Sequence, residues 1–222
     1  RIVRNPWFPL IAAFVATGLV MSFIAKPYWV PSGSMENTLQ PGDRTLVNRL
    51  AYLGGNPSNG DIIVFEPEQS WAGGPTTEEN PLKAALRWVG EVSGFGPSGP
   101  NTLIKRVIGT PGQSVECCTE DGSLTIDGEP IDEPYIANNF EFDPGTLDCT
   151  SVPASLRCFS AVEVPVDSFL MLGDNRSNSS DSAIMCRGMV DPPDTCWRWA
   201  LRDDVVGEAV VILWPIDRWA GL

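Results

Sequence analysis

Residues 102–109, Thr-Leu-Ile-Lys-Arg-Val-Ile-Gly, are the stretch from which the fold is best predicted. Their aliphatic and β-branched side chains, followed by Thr-Pro-Gly, are typical of a strand that ends in a turn. Successive side chains of a strand point to opposite faces, so Lys105 shares a face with Leu103 and Val107 while Arg106 projects from the other. A lysine buried between aliphatic neighbours loses its proton more easily. Most lysines in strands simply extend into water, which is the alternative interpretation of Lys105.

Similar short runs recur along the chain between turn-forming residues. Glycine (21) and proline (20) are both plentiful in the 222 residues, which favours short strands and many turns over a helical bundle. Further strands are predicted at 44–48, 61–65, 162–172 and 205–213, and hairpin turns at Asp121-Gly122 and Asp127-Gly128. A helix is predicted at 81–92, either packed on the body or lying at a membrane surface. We therefore expect a mainly β fold.

The first part of the chain contains a long uncharged run, residues 7–25, WFPLIAAFVATGLVMSFIA. A helix of that length spans roughly 28 Å, about the hydrocarbon thickness of a bilayer. Arg1 and Arg4 precede the run, so the positive-inside rule places the N-terminus in the cytoplasm and the remainder outside. A cleavable signal peptide is the alternative, but the run is too long and residues 23–26 are a poor cleavage site. We expect a retained single-pass transmembrane anchor over residues 1–26.

The net charge and the number of histidines restrict the partners and the catalytic groups that the chain can use. The formal net charge is −13, so nucleic acid is an unfavourable partner. The chain contains no histidine, which removes the usual general base of serine hydrolases and the commonest metal ligand. An activated serine would need a lysine, a carboxylate or an N-terminal amine as its base. We expect neither a metal site nor a cofactor.

Six cysteines lie in the second half of the chain: Cys117, Cys118, Cys149, Cys158, Cys186 and Cys196. An even number, without histidine or a CxxC pair, indicates disulfides in an oxidising compartment rather than zinc; free thiols in a cytosolic protein are the alternative. Proximity pairs Cys186 with Cys196 and leaves Cys117 and Cys118 to bridge towards Cys149 and Cys158. We expect residues 113–165 to form a small disulfide-braced lobe of β-hairpins, inserted into a main domain of residues 27–112 and 166–222.

Two polar stretches contain candidate catalytic groups. In residues 31–43, PSGSMENTLQPGD, proline and glycine are expected to present the Ser34 hydroxyl on a stiff, exposed backbone; an ordinary polar turn is the alternative. Residues 173–182, GDNRSNSSDS, are dense in hydroxyl and carboxylate groups. A solvated loop would also explain them, as would a calcium site using Asp174, Asn178 and Asp181, although EF-hand spacing is absent.

Four stretches, in this order and behind one anchor, resemble the bacterial type I signal peptidases, membrane-bound Ser/Lys endopeptidases that remove signal peptides from exported preproteins. PSGSM at 31–35 resembles the nucleophile box, GDIIVF at 60–65 a structural box, IKRVIGTPG at 104–112 the general-base box, and GDNRSNSSDS at 173–182 the final box. The resemblance implies an antiparallel β-sheet catalytic domain of the signal-peptidase type. It also implies an enzyme on the extracytoplasmic face of the cytoplasmic membrane, with signal peptides and membrane lipid as partners.

The resemblance further implies a role for each matching residue. Ser34 would be the nucleophile and Lys105 its general base. Ser32 would donate its hydroxyl to the oxyanion hole beside the Ser34 N–H, and Ser179 would hydrogen-bond and orient the Lys105 amine. Asp181 would support the site structurally. The apolar pockets for small side chains before the cut would be lined by Val30, Met35, Leu39 and Ile104.

The chain departs from the family pattern at two positions. Asn37 stands where proline is usual, which removes some rigidity. Ala183 stands where an arginine usually pairs with the aspartate equivalent to Asp181, and Arg187 or Arg198 is a candidate replacement.

A lysine base requires a lowered pKa. At its ordinary pKa near 10.4 a lysine is neutral in about one molecule in 2,500 at pH 7, whereas a pKa of about 8 leaves near a tenth neutral. Burial against Leu103 and Val107 would lower the pKa in this way.

Two other functions account for part of these features. The self-cleaving repressors of the DNA damage response share Ser/Lys chemistry, but they are cytosolic and the chain has no DNA-binding helical domain to match. A membrane-tethered, disulfide-stapled binding module without catalysis explains the anchor and cysteines, but makes the placement of Ser34, Lys105 and Ser179 accidental.

Overall fold

The computed structural model describes residues 7–67, 71, 102–189 and 191–222 and contains two antiparallel sheets. The strands of the larger sheet are β1 (Ala25–Trp29), β2 (Arg44–Asn48), β3 (Ile62–Phe65), β4 (Leu103–Gly109), β9 (Ser168–Leu172), β10 (Ala200–Leu201), β11 (Val205–Trp214) and β12 (Ala220–Gly221). They lie in the order β1-β2-β11-β3-β4-β9-β10, with β12 pairing with β11. The predicted mainly β, antiparallel class is confirmed.

The smaller sheet has four strands: β5 (Ser114–Cys117), β6 (Leu124–Ile126), β7 (Glu129–Pro130) and β8 (Phe159–Glu163). Their order is β7-β6-β5-β8. The two-residue turn Asp127-Gly128 joins β6 to β7, and both of its residues have positive φ, 52° and 83°. This conformation is that of a type I′ hairpin turn, for which Asp-Gly is a preferred sequence.

Most predicted strands are confirmed, but one is wrong. Strands β2, β3, β4 and β11 occupy the predicted positions. The single strand predicted over 162–172 is instead two strands, β8 and β9, in different sheets. The chain turns between them at Pro165, which has no N–H for a ladder, and at Asp167, whose φ is 57°. The helix predicted at 81–92 lies outside the described residues.

The two sheets share a hydrophobic core. Val115, Leu124 and Phe159 of the smaller sheet pack in one cluster with Ile108 and Leu170 of the larger sheet. A second cluster, under the loop between β1 and β2, contains Val30, Met35, Leu39, Ile62, Ala209 and Ile212. The strands of the smaller sheet fall within the predicted inserted lobe, but they are packed against the main sheet rather than around a core of their own.

The apolar run of residues 7–25 begins with helix α1 (Trp7–Phe23), which has 17 residues and leads directly into β1. Its bulky side chains Trp7, Phe14 and Phe23 are exposed. Within the residues that the structure describes, no helix has both the length and the apolar character needed to cross a membrane.

All six cysteines form disulfides, and one predicted arrangement is wrong. Cys186 is bonded to Cys196, as their proximity predicted. The other two bonds join Cys117 to Cys118 and Cys149 to Cys158, so the expected bridges from the first of these pairs to the second are not formed. The observed partners are the nearest cysteines in sequence, with separations of 1 and 9, so the error lay in expecting the adjacent Cys117 and Cys118 to bridge towards distant cysteines. The two bonds lie side by side in space, with the sulfurs of Cys118, Cys149 and Cys158 within 4.8 Å of one another.

Candidate active site

Ser34 lies in a single 3₁₀ turn, Gly33–Met35, within the loop that joins β1 to β2. Backbone hydrogen bonds close the base of this loop: the Val30 N–H donates to the Asp43 carbonyl, and the Gly42 N–H donates to the Val30 carbonyl. Met35 is buried in the cluster beneath the turn. The Ser34 turn is therefore anchored at both ends and from below. The residue is only 7% exposed, so the expected exposure of Ser34 is wrong.

Lys105 lies in the middle of β4 and reaches Ser34. Its Nζ donates a hydrogen bond to the Ser34 Oγ at 2.5 Å. The residue is 3% exposed, and burial lowers the Lys105 pKa from 10.5 to about 8, although the negative charges of Asp181 and Asp174 oppose this shift. An amine with this pKa is neutral in roughly a tenth of molecules at pH 7. It can therefore accept a proton from a neighbouring hydroxyl near neutral pH.

A small cavity adjoins the two side chains. Its volume is about 30 Å³, and its lining includes Val30, Met35 and Ile104 together with Ser34 and Lys105. A volume of this size accommodates a small group but not a bulky side chain. Leu39, the fourth residue predicted to line such a pocket, is not among the lining residues but is fully buried in the cluster below.

Ser32 also lines the cavity, on the exposed side of Ser34. The two hydroxyl oxygens are 3.5 Å apart. Two residues from this loop and one from β4 thus meet at the mouth of the cavity.

Ser179 lies close by but does not form the expected hydrogen bond to Lys105. Its Oγ is buried and has no hydrogen-bond partner in the described part of the chain. It lies beside Gly173: a Cβ placed on that glycine would be 2.3 Å from the Ser179 Oγ and 2.5 Å from the Ser34 carbonyl oxygen. The Lys105 amine donates to Ser34 instead.

The loop after β9 holds the Ser34 turn in place through residues that the sequence did not identify. The Asn175 N–H donates to the Ser34 carbonyl at 3.0 Å, and its side-chain amide donates to the Gly33 carbonyl at 3.0 Å and to Glu36 at 2.7 Å. Asn175 follows β9, whose partner β4 carries Lys105. The pairing of these two strands therefore brings the loop after β9, the final loop (residues 173–182), against the loop between β1 and β2. We name the latter the nucleophile loop (residues 30–43) after its candidate nucleophile, Ser34.

A buried ion pair lies behind Lys105. Arg106 donates from Nε and Nη2 to the two carboxylate oxygens of Asp174, at 2.9 and 2.7 Å, and from Nη1 to the Gly60 carbonyl at 2.8 Å. Alternation along the strand correctly placed Arg106 opposite Lys105, but that face of β4 is also buried. The Asp174 carboxylate is thus occupied by a cation from the chain, which argues against the calcium alternative.

Asp181 has Arg187 as its partner. The Arg187 Nη2 lies 3.6 Å from the Asp181 carboxylate, and both side chains are almost completely buried. Arg198 instead donates to the Ser180 hydroxyl at 2.8 Å. Of the two candidate replacements for an arginine at Ala183, the structure therefore places Arg187 at the carboxylate. Asp181 also accepts from the Ala183 N–H at 3.2 Å, which fixes its orientation.

Asn37, the other departure from the family pattern, has a φ of 86°. Proline, whose ring fixes φ near −65°, cannot adopt this conformation. The Asn37 side chain donates to the Tyr135 carbonyl at 3.1 Å, a contact that proline also could not make. Asparagine at position 37 therefore fits a backbone conformation that proline could not adopt.

The sequence matches known proteins along most of its length. A family model described as signal peptidase, peptidase S26, matches residues 4–214. The chain is 36% identical to "Signal peptidase I" of Mycobacterium tuberculosis, over 94% of this chain and 71% of the relative. It is 34% identical to "Probable signal peptidase I" of Mycobacterium leprae, over 97% of this chain and 78% of the relative.

A solved structure of a signal peptidase I from Enterococcus faecalis is 24% identical, over 68% of this chain and 95% of that one, with a TM-score of 0.38. The family model and the curated relatives cover nearly all of the sequence. The chain therefore belongs to the signal peptidase family, peptidase S26, and is a serine endopeptidase.

Proposed function

We propose that this protein cleaves signal peptides from exported preproteins, with Ser34 as the nucleophile and Lys105 as its general base. The observation that carries the proposal is the 2.5 Å hydrogen bond between the Lys105 Nζ and the Ser34 Oγ, at a buried amine with a pKa of about 8. In a chain without histidine, no imidazole competes for the role of base.

The proposed reaction has two steps. Neutral Lys105 takes the Ser34 proton as the hydroxyl attacks the scissile carbonyl, and it then returns the proton to the departing amine of the mature protein. The signal peptide remains as an ester on Ser34. Lys105 next takes a proton from water, whose oxygen attacks the ester carbonyl. As the ester bond breaks, Lys105 returns that proton to the Ser34 oxygen, which restores the hydroxyl and the neutral amine and releases the signal peptide as a carboxylic acid.

Two serines have supporting roles in this proposal. Ser32, 3.5 Å from the Ser34 oxygen, would donate to the oxyanion together with the Ser34 N–H; losing one such donor typically costs about 10²–10³ in kcat. Ser179 has a buried, unpartnered hydroxyl among the described residues. It would orient the Lys105 amine once substrate excludes water, because catalytic hydrogen bonds often form fully only in the substrate complex.

Specificity would follow from the cavity beside Ser34. Its volume of about 30 Å³ and its apolar lining suit a small side chain immediately before the cut. Larger side chains would have to displace Met35, which is part of the packed core cluster.

We further propose that residues 7–25 anchor the protein in the membrane with the N-terminus in the cytoplasm and the two sheets on the extracytoplasmic face. The uncharged sequence and the exposed bulky side chains of α1 support membrane contact. Flotation with liposomes tests this: the full chain should float with the vesicles, and a chain that begins at residue 26 should float far less. Equal flotation of both would contradict the anchor.

The enzymatic proposal is tested with purified protein in detergent and a preprotein substrate. Wild type should cleave the preprotein, and Ser34→Ala and Lys105→Met should each lower kcat by at least about 10³-fold. An intact preprotein with wild type, or normal cleavage by Lys105→Met, would contradict the proposed mechanism. Ser32→Thr, which keeps a hydroxyl, serves as the matched control for Ser32→Ala.

A further inference from the structure

One short segment between β7 and β8 contacts the nucleophile loop, the final loop and strand β4. We call this segment, residues 133–138, the strap. The nucleophile loop donates to it through the Asn37 side chain, which binds the Tyr135 carbonyl at 3.1 Å. The Ala137 N–H donates to the Asp174 carbonyl at 3.0 Å, and the Ser177 N–H donates to the Asn138 carbonyl at 3.1 Å. The strap is therefore bound to both loops that surround Ser34.

Tyr135 of the strap contacts β4, the strand that carries Lys105. Its ring lies over the Arg106 guanidinium, with 3.8 Å between the Arg106 Cζ and the ring centroid. All guanidinium donors lie in the plane of the group, and here they bind Asp174, Gly60 and the Thr38 hydroxyl. The aromatic ring can therefore cover the face of Arg106 and exclude water without displacing a hydrogen bond.

The position of the Tyr135 ring is itself fixed. The phenol donates to Glu133 at 2.9 Å. Glu133 forms a buried ion pair with Arg176, and the Arg176 Nε donates to the Gly173 carbonyl at 3.0 Å. Burial raises the pKa of Tyr135 above its ordinary value, so the phenol keeps its proton and remains a donor. The ring is thus held from the final loop as well as from the strap backbone.

We propose that Tyr135 is a positioning residue for peptide hydrolysis, which covers the Arg106–Asp174 ion pair and thereby holds β4 and the final loop against the Ser34 turn. This inference rests on the proposed function of Ser34 and Lys105. Tyr135 touches no reacting atom; it acts through Arg106 and Asp174.

Removal of the Tyr135 ring would change the charge balance around Lys105. The acidic groups that face Lys105 are Asp174 and Asp181, and their cationic partners are Arg106 and Arg187. If the ring is removed, water reaches Arg106 and competes for the ion pair, so Asp174 is less well neutralised. Water entry also reduces the desolvation of Lys105. Both effects raise the Lys105 pKa, so the acid side of the pH–rate profile should move to higher pH.

The test compares Tyr135→Ala, Tyr135→Phe and Phe142→Ala in the full-length protein in detergent. Phe142 is the matched control because it is an aromatic residue of the same region whose ring lies near Arg157, 5.3 Å away, rather than Arg106. For each variant, kcat and KM for a preprotein, the pH–rate profile and the thermal unfolding midpoint are measured.

Tyr135→Ala should lower kcat about tenfold, while KM changes less than about twofold. The acid limb of its pH–rate profile, where the rate falls with decreasing pH, should move to higher pH by about half a unit. Tyr135→Phe keeps the ring and should remain within about threefold of wild-type kcat. Phe142→Ala should lower the unfolding midpoint without moving the acid limb.

A normal kcat for Tyr135→Ala would overturn the inference. So would a loss of kcat in Tyr135→Ala without movement of the acid limb, or an equal movement of the acid limb in Phe142→Ala. These results differ from a failure of the proposed function itself. That failure would appear in wild type, or in Ser34→Ala with normal cleavage, before Tyr135 is considered.

Discussion

At the scale of single residues, Lys105 combines three properties that a serine protease base needs. It is buried, it contacts the proposed nucleophile Ser34, and its pKa is about 8. The pKa is lowered by burial and raised by Asp181 and Asp174, so the final value depends on how well Arg187 and Arg106 neutralise those two carboxylates.

The first prediction concerns the pH dependence of cleavage. In the proposed mechanism only neutral Lys105 accepts the Ser34 proton, so kcat/KM should fall about tenfold per unit as the pH drops below about 7 and should level off above about 8. Initial rates from pH 5.5 to 9, with a substrate that lacks groups titrating in this range, test the expectation. A rate unchanged from pH 9 to pH 5.5 would exclude a lysine base.

The second prediction concerns Gly173. A methyl group on this residue would overlap the Ser34 carbonyl oxygen and the Ser179 hydroxyl, at 2.5 and 2.3 Å. Gly173→Ala must therefore shift the Ser34 turn, and kcat should fall at least about 10²-fold. Gly54→Ala is the control, since a Cβ there meets nothing within 4 Å. Equal activity of the two variants would show that the close approach at Gly173 is not needed.

At the scale of elements, the site is assembled where the loop after β9 packs against the loop between β1 and β2. Two of the three disulfides close loops of nearly equal length, with sequence separations of 9 for Cys149–Cys158 and 10 for Cys186–Cys196. They differ in position, because Cys186 directly precedes Arg187, the partner of Asp181.

The third prediction compares the removal of these two disulfides. Loops of this length imply a loss of about 3 kcal/mol of stability when either bond is removed, by the chain-entropy relation. Replacing Cys186 and Cys196 by alanine should also reduce kcat, because Arg187 loses its tether, whereas replacing Cys149 and Cys158 should leave kcat within about twofold. Urea unfolding and preprotein cleavage measure the two effects. Similar losses of kcat in both double variants would contradict a specific role for the bond beside Arg187.

At the scale of the whole molecule, a buried lysine of lowered pKa is expected to reduce stability. The charged amine is disfavoured in the folded state, so the cost is fully present below pH 8. It disappears as the pH rises from about 8 to the unfolded value near 10.5.

The fourth prediction follows from this destabilising effect of Lys105 below pH 8. Lys105→Met should be inactive yet more stable than wild type at pH 7, by up to about 3 kcal/mol, since each pKa unit corresponds to about 1.4 kcal/mol. The difference should shrink towards zero near pH 10.5. Urea unfolding of both proteins at pH 7 and pH 10 checks it. A variant less stable than wild type at pH 7 would mean that packing or hydrogen bonding at Lys105 outweighs desolvation.

The sequence predicted those features that depend on local pattern. Alternation placed Lys105 in a strand, the Asp127-Gly128 turn was recognisable, and the residue types around Ser34 identified a candidate nucleophile. It could not predict features that depend on distant partners. Arg106 and Asp174 are 68 residues apart in sequence, and the Glu133–Arg176 pair and the contacts of the strap likewise join residues that are distant in the chain. The two wrongly assigned cysteine pairs are instead neighbours in sequence, and the error was to expect them to bridge towards each other. The missing Ser179–Lys105 hydrogen bond depends on side-chain geometry, which residue types do not determine.

The burial of Lys105 also makes the site unusually easy to observe. The sequence contains only three lysines, Lys26, Lys83 and Lys105. Protein labelled with ¹⁵N only at its lysine side chains should therefore give a very simple NMR spectrum, in which the Lys105 amine titrates near pH 8. Its resonance would report directly on the protonation of the site, independently of any substrate, inhibitor or rate measurement.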